Sequence, residues 1–345
     1  MTGKRWTNDE EIVLRRNYGI HPIREWIDEL PGRTWDSIQT KSTRMGLVSY
    51  LGGRSPKPKF IPHLPEVEEM DFEQLWETSY AFQKASRKLS SRQDEITIEL
   101  DVDYPIGVPF LADAHIGAVS APLDYIRTRF EMVAENPRFY PFSVGDTIDN
   151  YLPASHPQGM FGTMFPPELQ KELVLNLYLK IYGRWLAVVQ GCHEEFSHSA
   201  DDFDFTKYLA HQLGCANLGF GGVVNLKVGE QIYRIALRHK YRFNSSYNPT
   251  HCPKQLVRFE YPNADIACVA HNHRAACEQL SHRDKDRIYV RPGSFKGPDR
   301  YARSLGFTDT GSAIPVVILW PDKRQMLPFL HLEQAIEVLN SLGGE

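Results

Sequence analysis

Val108-Pro-Phe-Leu-Ala-Asp113-Ala-His115 is an apolar run that stops abruptly at an aspartate and a histidine two residues apart. Side chains alternate along a strand with period two, so residues i and i+2 at its carboxyl end point the same way. Asp113 and His115 are therefore expected to face one ion. The same event recurs downstream. Phe142-Ser-Val-Gly-Asp146, Trp185-Leu-Ala-Val-Val-Gln-Gly-Cys192-His193, Ile235-Ala-Leu-Arg-His239 and Ile266-Ala-Cys-Val-Ala-His271-Asn-His273 are each a strand-like run ending at polar, metal-competent residues. Loops converge at the carboxyl ends of strands in layered α/β sheets, so five such ends are expected to deliver one cluster.

The chain has 345 residues, 42% apolar and 24% charged, which is enough for a real core in one large domain with an appendage, or in two domains. No run approaches the roughly 18 apolar residues of a membrane span, and no amino-terminal stretch reads as a secretory signal. A soluble, intracellular, cytoplasmic protein without a membrane partner is expected. Five cysteines, at 192, 215, 252, 268 and 277, form no C-x-x-C pair, and an odd number suits reduced, mostly buried thiols better than a disulfide framework.

In order, Asp-x-His, Gly145-Asp-Thr-Ile-Asp149, Gly191-Cys-His-Glu194, a solitary His239 and His271-Asn-His273 resemble the calcineurin-like metallophosphoesterase family, from about Asp94 to about Trp320. The resemblance implies an α/β fold, a two-sheet β-sandwich flanked by helices. It also implies two divalent ions, the first held by Asp113, His115, Asp146 and His273, the second by a bridging Asp146 with His239 and His271. Mixed imidazole and carboxylate ligands suit Mn, Zn, Fe or Ni rather than Ca. By the same resemblance His193 is a catalytic group that protonates the leaving oxygen or steadies developing charge, and Asp149 orients its ring. Cys192 stands where the family usually has Asn. Its sulfur would either join the second ion as a thiolate, favouring a softer metal, or pack away and leave that ion weakly held. Lys240, Arg242 and Asn244 follow His239 and are placed either to meet phosphate oxygens or to form a solvated basic loop. Taken singly, His239 reads as a core histidine and Asp149 as a turn residue; together, so many buried ionisable groups without a cation would be very costly.

Residues 1–48 read as a small three-helix domain. Thr7-Asn-Asp-Glu10 is a capping box, Gly19 stops the first helix, Pro22 opens the second and Thr34 the third. In the third, Trp35, Ile38 and Met45 are expected to point inward. Arg5-Trp6-Thr7, Gly32-Arg33-Thr34-Trp35 and Lys41-Ser-Thr-Arg44-Met-Gly-Leu47 resemble a Myb-type helix-turn-helix of the small form found in bacteria and their phages, which implies DNA contact through Arg33, Gln39, Thr40, Lys41 and Arg44. Residues 1–60 carry eleven Lys and Arg against seven Asp and Glu, a balance that favours a phosphate backbone as partner. The other reading is a protein–protein module with a solvated basic face.

Residues 49–93 are expected to be a linker, Gly52 to Pro65, followed by a helix whose Phe72, Leu75, Trp76, Tyr80 and Phe82 dock on the next domain. Residues 94–330 are the phosphoesterase domain and 331–345 a carboxyl-terminal helix. The expected function is metal-dependent hydrolysis of phosphodiesters by an activated water, with DNA as substrate, a nuclease. A phosphomonoesterase or small-molecule phosphodiesterase, and a DNA-binding regulator with an inactive phosphoesterase domain, are the alternatives. A homodimer is left open.

Overall fold

The computed structural model describes residues 5–49, 71–89, 94–153, 157, 159–245, 247–298, 303, 306 and 311–343. The expected linker from Gly52 to Pro65 lies outside the described residues. Two compact units are present, Met1–Ser79 and Tyr80–Glu345.

In the first unit, α1 (Asn8–Asn17) opens with the capping box: Thr7 N donates to Glu10 Oε2 at 2.9 Å, and Glu10 N donates to Thr7 Oγ1 at 3.3 Å. The expected second helix is instead two successive 3-10 turns, Ile23–Glu25 and Ile27–Glu29. Only eight residues separate Pro22 from Pro31, and Trp26, anchored by its indole N–H on His21 O, breaks the run. The third helix, α2 (Trp35–Arg44), is capped by Thr34. Leu14, Trp26, Leu30 and Ile38 form the buried core. Trp35, expected inside, is 45% exposed and stacks on Tyr18, because it opens α2 at the lip of that core. Arg33, expected on DNA, is built into the unit. It pairs with Glu10 at 2.8 Å, donates to Arg5 O and lies over the Trp6 ring. Lys41 pairs with Glu11 at 2.5 Å. Gln39, Thr40 and Arg44 are exposed.

The helix α3 (Phe72–Leu89) starts at an Asp71–Gln74 cap, and its Phe72, Leu75, Trp76, Tyr80 and Phe82 are exposed.

The second unit holds two six-stranded mixed sheets flanked by helices, the α/β sandwich expected from the sequence. In chain order its strands are β1 (Glu95–Leu100), β2 (Ile106–Leu111), β3 (Phe142–Ser143), β4 (Ala187–Val188), β5 (Ala216–Asn217), β6 (Gly221–Val228), β7 (Gln231–Arg238), β8 (Ile266–Val269), β9 (Ala276–Ser281), β10 (Asp286–Arg291), β11 (Val316–Leu319) and β12 (Met326–Phe329). One sheet runs β12-β11-β2-β3-β4-β5, the other β1-β6-β7-β8-β10-β9. From β2 to β5 the first sheet is parallel, as are β7 and β8 in the second. Strands buried on both faces must be apolar throughout, and all six residues of β2 are buried.

Between the sheets Val108, Phe110, Phe142, Leu186, Ile235, Leu237, Ile266 and Val290 interdigitate. On the outer face of the first sheet lie α4 (Leu123–Glu135), α5 (Pro167–Leu179), α7 (Phe205–Leu213) and α9 (Leu332–Ser341), whose Phe130, Val174, Leu209 and Leu339 share a second core. The outer face of the other sheet is covered by α8 (His251–Phe259) through Cys252 and Leu256. A short helix, α6 (Glu194–Asp201), follows the third ligand loop, and Asp204 caps α7 by accepting from Lys207 N. Among the described residues no helix is long and apolar enough to cross a membrane.

Candidate metal centre

The loops after β2, β3, β4, β7 and β8 meet at one end of the sandwich. Strand pleating is not what aims Asp113 and His115. β2 ends at Leu111, and Asp113 (φ 52°) and His115 (φ 45°) lie in a left-handed turn beyond it. That turn is zipped to the loop after β3: Asp113 N donates to Gly145 O, His115 N to Asp146 O and Ile116 N to Thr147 O, at 2.9–3.0 Å. Asp146 (φ 52°), His271 (φ 74°) and His273 (φ 57°) are left-handed as well. Non-glycine residues rarely adopt this region, and such strain gathers at functional sites.

Glycine is required where the loops after β3 and β4 touch. A Cβ on Gly191 would fall 2.1 Å from Asp146 N, and one on Gly145, at φ +86°, 2.7 Å from Gly191. Into this contact Glu194 inserts a buried carboxylate. Its Oε2 accepts from Asp146 N and Gly191 N at 3.0 Å, and its Oε1 from Thr147 N at 2.6 Å and Thr147 Oγ1 at 2.7 Å.

Two donor groups result. In the first, His273 Nε2 lies 3.4 Å from Asp113 Oδ1 and 3.2 Å from His115 Nε2. In the second, His271 Nδ1 lies 3.2 Å from His239 Nε2 and 3.8 Å from Cys192 Sγ. Asp146 Oδ2 faces both, 3.9 Å from His115 Nε2 and 3.0 Å from His239 Nε2. Its other oxygen accepts from His193 N at 2.9 Å. Asp113, His115, Asp146, Cys192, His239, His271 and His273 are thus all brought together.

These residues fit divalent cations. Asp113 Oδ1 is buried and accepts no hydrogen bond among the described residues. Two imidazole Nε2 atoms face each other at His115 and His273, a contact in which at most one can donate. His239 Nδ1 donates to Val144 O at 2.8 Å, since a carbonyl only accepts, which turns Nε2 into the cluster. The electrostatics agree. Burial disfavours the Asp146 carboxylate, yet the positive field of His239 and its neighbours holds it well below the usual carboxylate range. Burial likewise opposes charge on His239, and the Asp146 carboxylate overrides it, raising the ring well above its ordinary value. Burial, then the charge of a neighbouring histidine, pushes His115 and His271 down to about 4.

No family model matches the sequence, and no curated protein matches it. Solved structures do. The chain is similar to Vps29 from Chaetomium thermophilum at 14% identity and TM-score 0.35, over 65% of this chain and 96% of that one. A metallophosphoesterase from Sphaerobacter thermophilus matches at 15% identity and TM-score 0.32, over 69% and 97%. The nuclease MPE of Pseudomonas putida matches at 13% identity and TM-score 0.30, over 64% and 87%. At such TM-scores the likeness carries no weight for the chemistry, which rests on the side chains.

Around the donor groups, two placements differ from expectation. The Asp149 carboxylate does not hold His193. It accepts from Lys296 Nζ at 3.0 Å and Thr163 Oγ1 at 3.2 Å, and lies 3.6 Å from His115 Nδ1. The Asp149 backbone carbonyl takes His193 Nδ1–H at 2.5 Å, because the turn after β3 brings that carbonyl closer to the ring than its own side chain. Of the loop after β7, Lys240 is exposed, Arg242 lies over the Phe243 ring, and Asn244 Oδ1 accepts from the buried guanidinium of Arg291 at 3.2 Å. Arg242 and Asn244 thus have partners within the protein.

Glu194, Lys296 and Ser294 support the cluster without a sequence signal of that role. Glu194 was visible only as the last letter of Gly-x-His-Glu. Ser294 Oγ and Phe295 N donate to Asp113 O at 3.0 and 3.1 Å, which with Lys296 makes the segment after β10 a clasp on two ligand loops. No local pattern marks that segment. After the Asp149 turn, the Tyr151 ring lies 5.1 Å from the His193 ring.

Proposed function

We propose that this protein is a metal-dependent phosphoesterase that hydrolyses phosphodiesters, with DNA as substrate. The observation that carries the enzymatic part is Asp146 Oδ2 facing two separate donor groups, each of which adds imidazole nitrogens and either a carboxylate oxygen or a sulfur. That is what a pair of ions sharing one carboxylate requires. Asp113, His115, Asp146 and His273 would hold one ion, and Asp146, Cys192, His239 and His271 the other. When bound, such ions would supply an activated water and stabilise charge on phosphoryl oxygens.

The chain's own groups do the rest. His193 Nδ1–H is committed to Asp149 O, so Nε2 is the ring atom left to face a leaving oxygen, to which the imidazolium form would give its Nε2 proton. Its backbone N–H on Asp146 Oδ1 ties the ring's position to the shared carboxylate. The DNA part is supported by the amino-terminal unit, where Gln39, Thr40 and Arg44 stand exposed on α2. Arg33 and Lys41 are engaged in ion pairs, which narrows the candidate contact surface to those three.

Hydrolysis of bis-p-nitrophenyl phosphate, p-nitrophenyl phosphate and linear, circular and single-stranded DNA, with and without added Mn, tests the proposal. Turnover of the diester and of DNA, abolished by chelation, is expected. Turnover of the monoester alone would assign the protein to phosphomonoesterases, and none at all would leave a DNA-binding protein.

A further inference from the structure

The two donor groups differ in chemistry. The first offers two imidazole nitrogens and a carboxylate oxygen, from His115, His273 and Asp113; the second offers two imidazole nitrogens and a sulfur, from His239, His271 and Cys192; Asp146 Oδ2 stands between them, 3.9 Å from His115 Nε2 and 3.0 Å from His239 Nε2. Two ligands about 2.0–2.3 Å from one tetrahedral zinc ion stand roughly 3.3–3.6 Å apart. In the second group the separations are 3.0 Å for Asp146 Oδ2 to His239 Nε2, 3.2 Å for His239 Nε2 to His271 Nδ1, and 3.8 Å for Cys192 Sγ to His271 Nδ1.

Cys192 is held for this task by its neighbours. Gly191 N is fixed by Glu194 Oε2 and His193 N by Asp146 Oδ1, so the backbone on either side of the cysteine is pinned to the ligand loops. The structural thiols are different. Cys252 donates to the carbonyls of Tyr241 and Arg242, and Cys268 lies fully buried between the sheets, where burial pushes its thiol up.

Building on the phosphoesterase reading, we propose that the cluster is a mixed-metal centre: Cys192, His239, His271 and Asp146 select zinc through a thiolate, and the Asp113 half takes a harder ion such as manganese. Soft sulfur favours zinc over manganese, whereas nitrogen and carboxylate ligands alone discriminate less. Ligation converts the Cys192 thiol to a zinc-bound thiolate and releases one proton to solvent.

The test uses full-length protein stripped by chelation and titrated with Co²⁺ as a spectroscopic stand-in for zinc. A near-ultraviolet sulfur-to-cobalt charge-transfer band that saturates at one equivalent is expected. It should vanish in Cys192→Ser and persist in His273→Asn, which alters only the other half. Zinc affinity should fall about 100-fold or more in Cys192→Ser, beyond what the loss of an outer-shell partner causes. Wild-type protein given excess Mn²⁺ and limiting Zn²⁺ should retain one of each after desalting. Cobalt binding without a sulfur band, or equal zinc affinity in wild type and Cys192→Ser, overturns the mixed centre and leaves the phosphoesterase reading standing. Failure to bind any of the three ions overturns both.

Discussion

Glu194→Gln separates a scaffold role from a catalytic one. The buried carboxylate accepts from three backbone N–H groups and one hydroxyl, which fixes the left-handed turn at Asp146 and the tight passage at Gly191. A glutamine is nearly isosteric but offers one oxygen, so either Thr147 N or the pair Asp146 N and Gly191 N is left facing an amide N–H. Each orphaned buried donor costs about 1–3 kcal/mol. Against this, burial and the Asp146 charge already raise the Glu194 carboxyl, and a neutral side chain relieves that repulsion. The net loss is expected to be about 1–3 kcal/mol, which in a unit of this size lowers the melting temperature by roughly 2–4 °C per kcal/mol. Thermal and urea unfolding of the metal-free protein measure it. Metal affinity should weaken in parallel, because Asp146 is released from its turn. A melting temperature unchanged from wild type, with undiminished metal affinity, refutes the reasoning.

His193→Ala is expected to cut turnover by about 10²–10⁴-fold while metal content, read by elemental analysis, stays near wild type. Metal loss in that variant would move His193 into the ligand set. In metal-free protein His115 and His271 sit at about 4 against an ordinary 6.5, so the unfolded chain binds more protons between those values. Their contribution is complete above pH 6.5 and lost as pH falls toward 4, at about 3 kcal/mol each, while the raised His239 gives its share below 6.5 and loses it as pH rises. Urea unfolding at pH 7, 6, 5 and 4 should show a steep decline, and a flat profile contradicts the burial of those rings. In the amino-terminal unit, Arg33→Ala should destabilise the fold by about 3 kcal/mol, since it removes the guanidinium from a largely buried ion pair with Glu10. Arg44→Ala should leave stability alone and weaken DNA binding with a shallower salt dependence, as seen by fluorescence anisotropy across a salt series.

The fold was legible because its central strands are apolar on both faces and each is followed by a metal-competent side chain. The run from Val108 to Leu111 needed nothing beyond periodicity. Which side chains would gather was legible for the same reason, since Asp113, Asp146, His239, His271 and His273 each follow such a run. Conformation was not. The strand alternation that drew attention to Asp113 and His115 does not operate there, because the chain has already left the strand and turned left-handed. Support from afar was equally silent. Lys296 meets Asp149 across 147 residues, and nothing near either one announces the other. On α2, periodicity separated inside from outside at Ile38 but could not foresee that Arg33 and Lys41 would be claimed by the acidic first turn of α1.

Five residues of the cluster, Asp113, His115, Asp146, His271 and His273, hold a backbone twist that side chains with a Cβ resist, at on the order of 1 kcal/mol apiece. The summed resistance is comparable to the whole net stability of many domains. The sandwich therefore works as a press that keeps these bends from relaxing, and a cation held as proposed would share that task. Loosening the press anywhere along β2 or β3 should first be felt as a leak of metal, well before the protein unfolds.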